Sequence, residues 1–163
     1  MEEQRMKDIK KIMVPIDFSK GSKKLLKFAT YFAEKFDATI YIVSVVEFQS
    51  TYSYYEFDPL DTIATLKEDI MDYAQKQMDT FLEENREQLI VPFESSLLTG
   101  RVAEELIRYA EDERIDMIII GTHGYRGLDR MLFGSVASKV IKLAPCPTLT
   151  VNTYQQVKEE SRK

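Results

Sequence analysis

Apolar positions along this chain arrive in two alternating rhythms. Residues 11–16 (KIMVPI) form a short apolar run ended by Pro15 and Asp17, the pattern of a short buried strand. Ser19 then stands where a helix N-cap is wanted. Leu25, Leu26, Phe28, Ala29, Phe32, Ala33 and Phe36 recur at helical spacing and predict an amphipathic helix over 20–36. Residues 39–46 (TIYIVSVV) are β-branched and almost continuously apolar, as in a strand covered on both faces. Residues 47–61 are aromatic and polar without a period, and Pro59 closes them as a loop. Ile63, Leu66, Ile70, Ala74, Met78 and Phe81 follow at intervals of three or four, predicting a long helix over 62–88. Residues 93–98 alternate loosely and read as a third strand, closed by Gly100. Val102, Ala103, Leu106, Ile107 and Ala110 mark a helix over 101–113, and 116–120 are a fourth strand. Residues 135–143 predict a short helix with Val136, Val140, Ile141 and Leu143 facing in, and 147–151 (PTLTV) a last strand. Residues 152–163 are polar and expected to fray.

Strict strand–helix alternation implies an α/β fold, a parallel sheet with helices on both faces and right-handed crossovers. In such folds ligands sit outside the carboxyl ends of the strands, where the connections switch sides. Asp17, Val46, Gly100 and Gly121 each follow a predicted strand, so they are expected at one edge. The length, 163 residues, fits one domain over 1–163, ordered over about 8–153.

Composition narrows the function classes. Hydrophobic and charged fractions of 44% and 30% are those of an ordinary globule. A net charge of −5 and a pI near 5.1 argue against a nucleic-acid binder, which carries a basic footprint. The charged N-terminus is unlike a signal peptide, and no apolar stretch approaches the ~20 residues that span a bilayer. No membrane partner and a cytoplasmic location are therefore expected. The single Cys, Cys146, excludes an intrachain disulfide and fits a reducing compartment. With one His beside it, a structural zinc site is disfavoured.

Four of the six glycines fall between positions 121 and 134, with the spacing Gly121-x2-Gly124-x9-Gly134-Ser135. Gly121 and Gly124 let backbone N–H groups face an anion with no side chain in the way. Gly134 and Ser135 open a helix whose first N–H groups and positive dipole end favour phosphate. Arg126 and Arg130, in the connecting loop, are candidates to cover phosphates. The pattern is neither a Walker A loop, lacking Gly-Lys-Ser/Thr, nor a GxGxxG turn. Each residue has a plainer alternative. Gly134 and Ser135 serve equally as a helix cap, Asp17 as a cap of the first helix and Val45 as core. The lone His123 serves as a loop hydrogen-bonder and the arginines as solvated side chains. The aromatic loop with Phe48, Tyr52, Tyr54, Tyr55 and Phe57 is either a lid or a contact surface, or rests its rings on the long helix.

With this glycine spacing the chain resembles the universal stress protein family, in particular its ATP-binding branch. The resemblance extends over residues 12–19, 116–124, 133–136 and 144–151 and so over nearly the whole chain. It implies a three-layer α/β/α sandwich, Rossmann-like, with a five-stranded parallel sheet in the order 3-2-1-4-5 and the last strand at a homodimer edge. It implies that Asp17 reaches the adenosine part with Pro15 and Ile16 beside it, that Val45 contacts adenine, and that Ile120 and Gly121 wall base and ribose. His123, Gly124, Arg126, Gly134, Ser135 and Val136 complete the nucleotide-binding set. ATP, or ADP or AMP, is the implied ligand, with Mg²⁺ held mainly through phosphates and water. No protein side chain is assigned to the metal, and none to catalysis.

Three functions follow. The first is an ATP-binding regulatory protein with at most slow hydrolysis, acting on an unknown protein partner. It fits the absence of a recognisable general base or arginine finger. The second is an ATP-using transferase such as an adenylyl transferase. Relatives of that kind carry His-x-Gly-His after the first strand, where this chain has Pro15-Ile16-Asp17-Phe18-Ser19-Lys20. The third is a nucleotide-free dimeric adaptor, whose branch lacks the glycine spacing seen here.

Overall fold

A computed structural model of the chain describes residues 8–48, 60–122 and 134–153. Five strands form one sheet: β1 (Lys11–Pro15), β2 (Thr39–Val46), β3 (Phe93–Thr99), β4 (Met117–Gly121) and β5 (Thr148–Val151). Their order is β3-β2-β1-β4-β5 and every pairing is parallel. The helices are α1 (Lys20–Phe36), α2 (Leu60–Glu84), α3 (Val102–Asp112) and α4 (Ser135–Leu143). The α/β architecture and the strand order agree with the sequence reading.

Alternation along the buried strands sorts two cores. Ile12 and Val14 of β1, Ile40 and Ile42 of β2 and Ile119 of β4 pack with α1 and α2. Met13, Tyr41, Val43, Ile118 and Ile120 point the other way, to α3 and α4. Because β1 lies between β2 and β4, the chain leaves it in one direction and later returns on its other side. That makes the carboxyl ends of β1 and β4 the switch point of the sheet.

Several boundaries and faces differ from the sequence reading. The long helix stops at Glu84 and is followed by a single 3-10 turn, Arg86–Gln88. The buried Asn85 causes this, since its side-chain amide and its backbone N–H both donate to the Phe81 carbonyl, at 2.7 and 3.2 Å. In α4 the inward residues are Ala137 and Val140, whereas Ile141 and Leu143 are 42% and 56% exposed. Phe28 and Phe36 of α1 and Leu66 of α2 also reach solvent. A five-stranded sheet is too narrow to cover every apolar position that a helical period marks. β3 is an edge strand whose first three residues are exposed, so its pattern is not an alternation.

Candidate functional site

The first half of the site is the turn after β1. The Ile16 N–H donates to the Val43 carbonyl at 2.8 Å and so extends the β1–β2 pairing by one residue. Ile16 is buried, Pro15 half-buried and Asp17 exposed. Asp17 Oδ1 accepts from the Ser19 backbone N–H at 3.1 Å, the Ser19 hydroxyl at 2.6 Å and the Ser22 hydroxyl at 2.8 Å. Ser22 Oγ in turn accepts the Asp17 N–H at 3.1 Å. Ser19 occupies the N-cap position of α1, but its side chain makes no capping hydrogen bond and serves Asp17 instead. Between them Phe18 takes a left-handed backbone, φ 59°, and sets its ring edge-on against Phe81 of α2 at 6.0 Å. A bulky residue in that conformation stores strain of about 1–3 kcal/mol, which the Phe81 contact and the Asp17 turn must hold in place.

The second half joins β4 to α4. The Thr122 N–H donates to the Val151 carbonyl at 3.0 Å, and the Thr122 carbonyl accepts the Gly134 N–H at 2.8 Å. The strand end at Gly121 and the helix start at Ser135 are thereby brought together. Gly134 caps α4 in an extended conformation (φ −66°, ψ 162°), without a side-chain cap, and Ser135 is exposed beside it. A Cβ on Gly134 would lie 3.5 Å from the Thr122 carbonyl oxygen, an ordinary contact, so among the described residues no packing contact demands a glycine here.

Between the halves, Val45 at the end of β2 and Val136 at the start of α4 are half-buried against the core that holds Ile120. Val45, Ile120 and Val136 thus share one face of the sheet, the α3/α4 face, while Ile16 belongs to the other. Lys139, in the second turn of α4, donates to Glu104 of α3 at 2.6 Å. That hydrogen bond holds the Glu104 carboxyl below its ordinary range. Arg101 adds a second contact to Glu104 at 3.7 Å, so the start of α3 is tied to α4.

His123, Gly124, Arg126 and Arg130 lie outside the described residues, as do residues 49–59 of the aromatic loop. Among the described residues no cluster of three or more His, Cys, Asp or Glu is placed to hold a metal ion. Nor is any helix long and apolar enough to cross a membrane. A groove of about 320 Å³ lies against Phe18, Tyr73 and Phe81 and holds none of the sequence-predicted site residues. Sequence reasoning passed over Ser22 and Thr122. Ser22 is a small polar residue inside a helical pattern, and Thr122 hides between two glycine-motif positions. Only the folded backbone shows what either one holds.

The universal stress protein family model matches residues 8–152. The chain belongs to the universal stress protein family. Universal stress protein MJ0531 of Methanocaldococcus jannaschii is 35% identical over 142 residues, 87% of this chain and 81% of that protein. The solved structure of MJ0577, a universal stress protein of the same organism, aligns with a TM-score of 0.74 and 29% identity, covering 90% of this chain and 97% of that one. A universal stress protein of Archaeoglobus fulgidus, solved in complex with dAMP, aligns with a TM-score of 0.63 and 19% identity over 90% of this chain and all of that one (100%), a likeness of fold.

Proposed function

We propose that this universal stress protein binds an adenine nucleotide across the β1–β4 switch point and acts as a regulatory protein of the ATP-binding branch. The observation that carries the reading is the Thr122–Gly134 hydrogen bond of 2.8 Å. It closes the loop between Gly121 and Gly134, so that both ends of the glycine motif meet at the N-terminus of α4. Phosphates are assigned to Gly121, Gly124, Gly134 and Ser135, together with His123 and Arg126 of the segment between Gly121 and Gly134. Adenosine is assigned to Pro15, Ile16, Asp17, Val45, Ile120 and Val136. The dAMP complex of the Archaeoglobus fulgidus relative supports an adenine nucleotide as the ligand class. Mg²⁺ would be held through the phosphates and would neutralise their charge. Hydrolysis, where it occurs, is slow, and a cytoplasmic location accompanies the reading.

Calorimetric titration with MgATP, MgADP and AMP tests the assignment. Binding in the micromolar range is expected, weakened at least tenfold by Gly134→Val, whose branched side chain crowds the helix start. Wild-type affinity in that variant would remove the phosphate assignment. A second reading, a nucleotide-free adaptor, draws on one observation. Asp17 Oδ1 is already engaged by three donors from its own turn. Mass spectrometry of small molecules released from the purified protein separates the two, since the adaptor carries no nucleotide.

A further inference from the structure

The chain does not turn away from the fold when β5 ends at Val151. Asn152 and Thr153 continue across the start of α1. The Asn152 carbonyl accepts Lys24 Nζ at 2.6 Å. Thr153 is only 4% exposed, a polar residue seated under the N-terminal turn of α1. Its seat is Gly21. A Cβ at that position would stand 3.1 Å from Thr153 Cβ, 3.2 Å from Thr153 Oγ1 and 3.4 Å from Ser19 Oγ. Carbon atoms prefer separations of about 3.5–4.0 Å, so a side chain at Gly21 would press on Thr153 and push it back by a few tenths of an ångström.

Both halves of the candidate site meet this short stretch. Ser19, beside Gly21, donates to the Asp17 carboxylate. Val151, two residues before Thr153, accepts the Thr122 N–H, and Thr122 holds Gly134. Residues 151–153 therefore meet the first turns of α1 at Gly21 and Lys24 on one side, and on the other meet Thr122, which in turn holds Gly134. α1 lacks a side-chain cap at its N-terminus, so contacts from outside the helix help to set where its first turn lies.

We propose that Gly21 and Thr153 are positioning residues of the nucleotide site: the seat of Thr153 on Gly21 sets the Asp17 turn against the Thr122–Gly134 half. The inference rests on the nucleotide reading above and deepens it. Neither residue is assigned a contact with the ligand.

The test is Gly21→Ala, with MgATP affinity by calorimetry and thermal stability measured together. Alanine is the better helix former, so local propensity alone predicts an unchanged or higher melting temperature. Displacement of Thr153 predicts a dissociation constant raised about tenfold, within the range by which remote contacts tune a site. The double variant Gly21→Ala/Thr153→Gly removes the Thr153 Cβ and should bring affinity back to within about twofold of wild type. Should Gly21→Ala fold poorly, Lys24→Met, which removes the Lys24 hydrogen bond to the Asn152 carbonyl, should weaken MgATP several-fold with the melting temperature unchanged. Wild-type affinity in the folded single variant, or a double variant no better than the single, overturns the proposal. A wild-type protein that binds no MgATP overturns the nucleotide reading and this one with it. Binding by wild type with indifference to Gly21→Ala removes this one alone.

Discussion

At the scale of single residues, two positions shape turns at the carboxyl edge of the sheet. Gly100 ends β3 with φ +140°, and its N–H donates to the Val46 carbonyl at 3.1 Å. A Cβ there would sit 2.8 Å from Glu105 Cγ, so any side chain is both strained and crowded. Gly100→Ala should cost about 1–3 kcal/mol, read as a lower denaturant midpoint. A midpoint equal to wild type would show that the β3–α3 turn relaxes freely. Asp17 is the second position. Asp17→Ala deletes the acceptor shared by Ser19 and Ser22 and should cost about 1–2 kcal/mol. Asp17→Asn keeps an oxygen in place of Oδ1 and should cost less, while losing the charge. If both variants weaken MgATP binding, the carboxylate serves the ligand as well as the turn. If Asn binds as wild type does, its charge has no part in recognition. That Asp17 follows β1, Gly121 ends β4 and Gly134 precedes α4 was legible because strand, turn and helix signals are local. Ser22 was not, because its role depends on a carboxylate five positions earlier facing back across a left-handed Phe18.

At the scale of elements, helices and strands are joined by a few polar ties laid over two apolar layers. Tyr109 of α3 shares a hydrogen bond with Ser96 of β3 at 3.1 Å, and burial pushes its phenol above the ordinary value. The neutral phenol is favoured in the folded state. This contribution is therefore complete below the unfolded pKa, about 10, and is lost as pH rises through the raised folded value. Lys11, held charged chiefly by Tyr41 with Glu113 also contributing, is raised as well and adds a loss of the same sign. Unfolding measured from pH 8 to 11 should show stability falling at the alkaline end. Tyr109→Phe should flatten part of that fall, and an unchanged slope would discount the burial of the phenol. In the apolar layer, Met78 of α2 is 1% exposed within the α1/α2 core. Met78→Ala should cost about 2–5 kcal/mol, since the cavity forms beneath a helix that, among the described residues, buries only Ala74 and Phe81 beside it. The extents of α1, α3 and the inner strands were readable to within a residue or two. The end of α2 was not, because a buried Asn85 diverts the backbone by a side-chain bond that no hydrophobic period records.

At the scale of the whole molecule, β5 is the outer strand of the sheet, with β4 as its one partner among the described residues. Ile141 and Leu143, exposed on the preceding helix, lie near it in sequence. Open apolar edges are normally paired or covered, and we propose a homodimer through residues 147–151. Light scattering over a dilution series should report a dimer. Leu143→Glu should weaken it about tenfold with the melting temperature of the monomer unchanged, if that side chain lies in the interface. A particle that is monomeric throughout would exclude the pairing.

Hydrophobic rhythm was enough to determine the class of fold and the order of elements along the chain, and glycine spacing was enough to mark the loop proposed to face a phosphate. Those properties depend on near neighbours, where periods of two and 3.6 residues are written directly. Tertiary structure alone decided which helix flanks remain exposed, that Asp17 is held by Ser22, and that Thr153 sits on Gly21. Each of these is set by which distant segment arrives beside which, and by the room a missing Cβ leaves for it.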